Sequence, residues 1–229
     1  MLAVESGDTL VLVDCGGDAA QRLLASGLAL DRVSCLIVTH EHADHVGGFP
    51  LLMERLWLAG IGPTFDVYGI ATAIAQARRS HEVFDTSNWP GYPDIRYHEI
   101  GQREDSLVFE TDDLEVRASP GKHAVPVVGL RFRDKRGGGV MVSSGDTQLC
   151  TTITELARGA DLLVHEATGE SPGHSSALDA AVVAHDAGVD RLVLVHLPPG
   201  FDEGAEPMSR ARERFPAVQV GSDGGRYDY

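Results

Sequence analysis

No apolar run in this chain approaches the roughly 20 residues that a membrane-crossing helix requires, so no helical membrane span and no membrane partner are expected. Met1 is not followed by a basic and then an apolar segment, the pattern of a secretory leader. Cysteine is scarce. The three present, Cys15, Cys35 and Cys150, share no spacing typical of a disulfide framework or a thiolate metal site. Cys15 and Cys35 sit in or beside apolar strand patterns, which points to buried, reduced thiols and a reducing cytoplasm. Positive charge is also short, with 19 Lys and Arg against 34 Asp and Glu and a net charge of −15. That balance argues against a long nucleic acid held by phosphate contacts. It leaves room for a small anionic substrate, because charge acts locally at a metal site. Internal repeats, low-complexity stretches and a convincing linker are absent too, so one domain spanning residues 1–229 is the expected organisation. The remainder is ordinary for a soluble globular chain, 43% hydrophobic and 23% charged.

The informative stretch is Thr39-His40-Glu41-His42-Ala43-Asp44-His45-Val46-Gly47-Gly48. It follows the apolar run Val33–Val38, which reads as a buried strand. His40 and His42 are two residues apart, so an extended chain end points both imidazoles the same way. Asp44 and His45 fall where the strand gives way to a turn and then to a helix read over Phe49–Leu58. A short loop can therefore aim four ligands at one small volume. Imidazoles with a carboxylate suit Zn²⁺ and similar transition metals. Gly47 and Gly48 allow close backbone packing and put no side chain in the way.

The rest of the chain reads in order as alternating short strands and helices. Thr9–Val13 is a strand that delivers Asp14 into the turn Asp14-Cys15-Gly16-Gly17. Asp14 is either a turn former or a carboxylate that orients a ligand histidine. Ala19–Leu28 is expected to be helical, Phe65–Tyr68 a strand and Ala71–Val83 a helix whose Arg78, Arg79, His81 and Glu82 form a solvated face. Phe84–Pro93 is an aromatic, proline-rich loop that either walls a pocket or simply connects. Strands follow at Ile95–Ile100, Ser106–Glu110, Leu114–Ala118, Val127–Phe132 and Val140–Ser143. Helix Thr151–Ala157, strand Asp161–Val164, helix Ala177–Ala187, strand Arg191–Val195, a helix near Met208–Phe215 and strand Ala217–Val220 complete the series.

One regularity links the parts. Five strand-like runs end in a residue able to bind metal or move protons: His40, Asp146, Glu166, His196 and, after a short turn, His123. In open α/β architectures functional residues collect at the carboxyl ends of strands. His40-x-His42-x-Asp44-His45, with Asp14 upstream and His123, Asp146 and His196 downstream in order, resembles the metallo-β-lactamase fold superfamily. The pairing of His165-Glu166-Ala167-Thr168 with Gly173-His174-Ser175-Ser176 resembles its ribonuclease Z-like branch, which includes small phosphodiesterases. The resemblance runs from about Thr9 to Tyr229. It implies an α/β fold, an αββα sandwich of two mixed sheets flanked by helices. Members of the family open with a strand ahead of the one leading to Asp14. Here the reading starts almost at that later strand, so the opening strand is expected to be missing, replaced or lost to a misassigned start.

The resemblance also implies roles. His40, His42 and His123 would hold one divalent metal ion and Asp44, His45 and His196 a second, with Asp146 bridging. Zn²⁺ is favoured by the histidine-rich set, and Mn²⁺ stays open. Glu166 and His174 would form an acid/base pair, unless the residues near His174 merely cap a helix. Asp44 could also steer the proton of the attacking water. His165, His98 and His185 receive no role. Two metals of this kind generate hydroxide near neutral pH and stabilise attacking and leaving oxygens. The implied activity is hydrolysis of a small phosphodiester or nucleotide through a metal-bridging hydroxide. A homodimer is a family expectation.

Three other readings stay in play. Ribonuclease Z enzymes carry a long arm that clamps transfer RNA, and one hairpin's worth of sequence between His123 and Asp146 leaves no room for it. Transfer RNA 3′ processing is therefore the second choice. An ester, lactone or sulfate-ester hydrolase would use the same metals, since fold does not fix substrate. A non-enzymatic metabolite-binding protein is the least favoured.

Overall fold

The computed structural model describes residues 1–204 and 206–229 and divides into two compact units, Met1–Gly101 and Gln102–Tyr229. Each unit is one mixed sheet with helices, as an α/β sequence with alternating strand and helix patterns requires.

The first unit opens with β1 (Leu2–Ser6) and β2 (Thr9–Val13), paired antiparallel from Leu2↔Val13 to Ser6↔Thr9. A strand therefore does precede the one leading to Asp14, which corrects the expectation that it was missing. Its two-residue turn, Gly7-Asp8, has Gly7 at φ +56°, the left-handed backbone that tight hairpins demand. Helix α1 (Ala19–Ala25) stops three residues short of the predicted Leu28 because Gly27 turns left-handed at φ +75°. A single 3₁₀ turn, Leu30–Arg32, leads into β3 (Val33–Val38). Then come the short helix α2 (Ala43–Val46), α3 (Phe49–Leu58), β4 (Thr64–Gly69), α4 (Ala71–His81) and β5 (Asp94–Glu99). The strand order is β1-β2-β3-β4-β5, parallel from β2 onward. Every residue of β2 is buried, and α3 buries Phe49, Leu52, Met53 and Leu56, the i, i+3, i+4, i+7 stripe of an amphipathic helix.

The second unit contains β6 (Ser106–Glu110), β7 (Leu114–Pro120), β8 (Val128–Asp134), β9 (Val140–Ser143), α5 (Thr151–Leu156), β10 (Leu162–Glu166), α6 (Ala177–Ala187), β11 (Arg191–Val195), α7 (Glu206–Arg214) and β12 (Val218–Val220). Its strand order is β12-β11-β10-β9-β8-β7-β6. The pairs β12–β11, β11–β10 and β10–β9 are parallel and the rest antiparallel. Strands β7, β9, β10 and β11 consequently run in one direction, and their carboxyl ends share one edge of the sheet. Helix α6 starts at a capping box in which Ser176 and Asp179 satisfy each other's backbone N–H groups, and it ends at Gly188 with φ +66°. Ala180, Ala181 and Ala184 let α6 lie close against Leu163, Leu192 and Leu194 in the core of this unit. Among the described residues no helix is long and apolar enough to cross a membrane.

Candidate metal centre

In the first unit the parallel strands β2 and β3 end side by side, and the Asp14 N–H donates to the Ile37 carbonyl at 2.9 Å. Asp14 sits at φ +61°, a conformation that Asp tolerates better than most residues, and this turns its buried carboxylate toward the chain leaving β3. There it accepts from the Thr39 N–H at 2.8 Å and from Thr39 Oγ1 at 2.9 Å. It also accepts from His45 Nδ1 at 2.8 Å. Asp14 is thus both the turn former and the orienting carboxylate. The His40 ring centroid lies 4.7 Å from that of His42 and 4.0 Å from that of His45, and His45 Nε2 is 3.5 Å from Asp44 Oδ2. His40 and His45 are buried, whereas Asp44 is exposed. The glycines hold the loop in place. A Cβ on Gly48 would meet the Gly17 carbonyl oxygen at 2.0 Å, and one on Gly16 would meet that of Asp44 at 1.6 Å.

In the second unit Glu166 closes β10, and His123, Asp146 and His196 follow the carboxyl ends of β7, β9 and β11 on the shared edge of the sheet. His123, Asp146 and His174 each offer a ligand atom within 4.8 Å of the others, and so do Glu166, His174 and His196. His196 Nε2 lies 3.6 Å from Asp146 Oδ2. His174 Nδ1 donates to Glu166 Oε1 at 2.9 Å. The Glu166 carboxylate is buried and also accepts from the Thr147 N–H at 2.8 Å and the Thr168 N–H at 3.0 Å, so its position is fully determined. The helix cap near His174 exists as well, built by Ser176 and Asp179, and it does not involve the His174 ring.

The hydrogen bonds fix which nitrogen of each ring is available. His45 Nδ1 gives its proton to Asp14, and His123 Nδ1 gives its proton to the Gly173 carbonyl at 2.7 Å. Thr168 Oγ1 donates to the His196 carbonyl at 2.9 Å, so its contact with His196 Nδ1 at 2.6 Å has the ring as donor. The same logic applies to His40, because Thr39 spends its hydroxyl proton on Asp14 and then accepts from His40 Nδ1 at 3.1 Å. In all four rings Nδ1 carries the proton and Nε2 keeps the lone pair. That is the tautomer a metal ion requires, held by the outer hydrogen bonds that ligand histidines use. Histidine and aspartate donors prepared in this way fit divalent transition metals in each unit.

Thr39, Thr168 and the Gly173 carbonyl carry this orientation, and the sequence reading assigned them nothing. Each lies within two residues of a candidate ligand or acid/base residue in sequence, which is the one cue that could have found them. His81 corrects another expectation. It is half-buried rather than on a solvated face, bonded through Nε2 to the Tyr92 hydroxyl at 2.7 Å and packed on Phe49. Burial lowers its pKa. The Phe84–Pro93 loop walls a cavity of about 280 Å³, to which Phe84, Trp89 and Tyr92 contribute. His98 is tied to Asp66 and His185 to Asp186, away from the candidate residues. Cys15 and Cys35 are buried free thiols whose pKa burial pushes up.

A family described as Beta-lactamase superfamily domain matches residues 9–197. The chain belongs to that superfamily, as a hydrolase of the metallo-β-lactamase fold. Its ribonuclease Z-like branch follows from relatives such as Ribonuclease Z of Synechococcus sp. (strain WH7803), 32% identical over 278 aligned positions that cover 93% of this chain and 85% of the relative. With 278 aligned positions against 229 residues, that relative carries stretches this chain lacks. Among solved structures, the metallo-beta-lactamase fold protein YhfI from Bacillus subtilis superposes with a TM-score of 0.79 at 22% identity, covering 97% of this chain and 88% of that one. Human tRNase Z, short form, gives a TM-score of 0.78 at 23% identity and covers 97% and 89%. These two likenesses establish the fold.

Proposed function

We propose that this hydrolase is a dinuclear metal-dependent phosphodiesterase acting on a small phosphodiester or nucleotide. The two half-sites would hold a pair of divalent ions, probed first as Zn²⁺ and then as Mn²⁺. His40, His42 and His123 would serve one ion, Asp44, His45 and His196 the other, and Asp146 both. When bound, such ions lower the pKa of a water and stabilise charge on the attacking and leaving oxygens.

The protein's own groups do the rest. Asp44, exposed on its short helix, can accept the proton of the attacking water. His174, fixed through Nδ1 by Glu166, can deliver a proton from Nε2 to the departing oxygen, while the Glu166 carboxylate balances the charge of the protonated ring. That His174–Glu166 pair is the observation that carries the reading. Cleavage of a P–O bond benefits from a positioned acid, and relatives named ribonuclease cleave such bonds.

Small substrates are favoured by two features. The segment between His123 and Asp146 is the tight hairpin of β8 and β9, and the chain carries −15. The ribonuclease Z names favour a second reading, an RNA phosphodiester in a transfer RNA precursor. The test is a panel of bis(p-nitrophenyl) phosphate, a transfer RNA precursor, a carboxylic ester and a sulfate ester, with metal-quantified protein. The proposal expects turnover of the small phosphodiester above all. Preference for the precursor would replace it with the second reading, and preference for the ester or sulfate would refute both.

A homodimer fits the apolar residues left exposed on α3, Leu51 and Leu58, and just after α4, Val83 and Phe84. Sedimentation equilibrium distinguishes it from a monomer. Three free cysteines fit a reducing compartment such as the cytoplasm.

A further inference from the structure

The second unit holds a cavity of about 380 Å³, near the small end of the range of about 300–1,000 Å³ for ligand pockets, lined in part by Lys122, Gln148, Glu170, Ser171 and His174. Three loops build it: one runs into His123, one between β9 and α5 carries Gln148, and one runs into His174. The bond from His123 Nδ1 to the Gly173 carbonyl ties the first to the third. The cavity therefore opens beside the proton donor of the proposed reaction.

Lysine is rare here. Of the two in the chain, Lys135 is engaged by Glu110 at 2.9 Å and by the Thr111 carbonyl at 2.7 Å. Lys122 makes no ion pair among the described residues, although its backbone is pinned by Thr147 Oγ1 at 2.9 Å and by the Gln148 N–H at 2.8 Å. An anchored backbone thus places an exposed lysine with no ion pair on the wall of a cavity, in a chain of net charge −15. The carboxylates of the same cavity are disposed differently. Asp179 is engaged by the Ser176 N–H at 2.9 Å and by Ser176 Oγ at 2.7 Å, whereas Glu170 is exposed.

We propose that Lys122 reads a second anionic group, a phosphate or carboxylate, on the leaving half of the diester. This rests on the phosphodiesterase reading, in which His174 marks the leaving-group side. The Ser171 hydroxyl and Gln148 amide add neutral donors to the ammonium, a set that suits an oxyanion. Glu170 opposes it and limits how much negative charge the cavity accepts.

The test compares two aryl diesters with the same retained group and a p-nitrophenol leaving group, plain or bearing a phosphonomethyl substituent. The metal-loaded wild type is expected to show the higher kcat/KM on the charged diester. K122A should lower the ratio of charged to plain about fivefold, the upper end for a partly solvated charge pair, chiefly through KM. K122R should keep the ratio, E170Q should raise it, and added salt should shrink it. Turnover of both diesters without preference, or a ratio unmoved by K122A, overturns the proposal and leaves the phosphodiesterase intact. No turnover of either diester removes the phosphodiesterase reading and this inference with it.

Discussion

The Asp14→Asn substitution isolates how the first half-site prepares a ligand. Asn tolerates the left-handed backbone at this position, φ +61°, so the turn survives where Ala would add strain of about 1–2 kcal/mol. Its amide oxygen can still accept from the Thr39 N–H. Its amide nitrogen then replaces the oxygen that accepts from Thr39 Oγ1 at 2.9 Å and His45 Nδ1 at 2.8 Å, and two donors face each other. His45 relieves the clash by moving its proton to Nε2, and the lone pair meant for a metal ion is lost. The wild-type bond is charge-assisted and worth about 1.5–3 kcal/mol. Removing such an outer partner costs about 10–100-fold in metal affinity, or roughly 1.4–2.7 kcal/mol. Competition titration against a chromophoric chelator measures this, with thermal melting of the metal-free protein as the folding control. A dissociation constant within about twofold of wild type, in a protein that melts normally, would refute the tautomer argument.

Three further outcomes follow from the same geometry. Thr168→Val removes the acceptor for His196 Nδ1 and is expected to weaken metal binding by about tenfold, read in the same titration; an unchanged affinity counts against Thr168 as the orienting group. Gly16→Ala places a methyl 1.6 Å from the Asp44 carbonyl oxygen and should destabilise the fold by at least about 1–3 kcal/mol in denaturant melts, and an unperturbed melt would contradict the packing described. His165 is fully buried, and burial outweighs the opposing pull of Glu166 to lower its pKa. The unfolded chain therefore takes up a proton below about pH 6.5 while the folded one does not, so this residue's contribution is full above that pH and declines as pH falls, by up to about 1.4 kcal/mol per unit. Metal-free His165→Gln should lose less stability than wild type between about pH 6.5 and 5, and identical slopes would reject the assignment.

Much of the fold was written in local patterns. Val33–Val38, Phe49–Leu58, Val140–Ser143, Ala177–Ala187 and Arg191–Val195 have the predicted bounds, because apolar periodicity and turn residues agree there. Leu2–Ser6 escaped because alternate residues of this edge strand face solvent, and its polar Glu5 and Ser6 hide a pairing fixed by Gly7-Asp8. The candidate ligands were legible as histidines and carboxylates after strands. Thr39 and Thr168 were not, since a hydroxyl that fixes a tautomer leaves no spacing signature. His81 looked solvated by its charged neighbours, yet a loop distant in sequence brings Tyr92 onto it, a tertiary contact that helix periodicity does not contain. The cavity beside Lys122 likewise depends on three loops meeting.

The most direct test of the central claim is metal content and phosphodiester turnover measured together in wild type and Asp146→Ala. The account predicts about two divalent ions per wild-type chain and hydrolysis of bis(p-nitrophenyl) phosphate, with turnover lost and metal content reduced in the variant. Fewer than one ion per well-folded wild-type chain after reconstitution, or full turnover by Asp146→Ala, would contradict it.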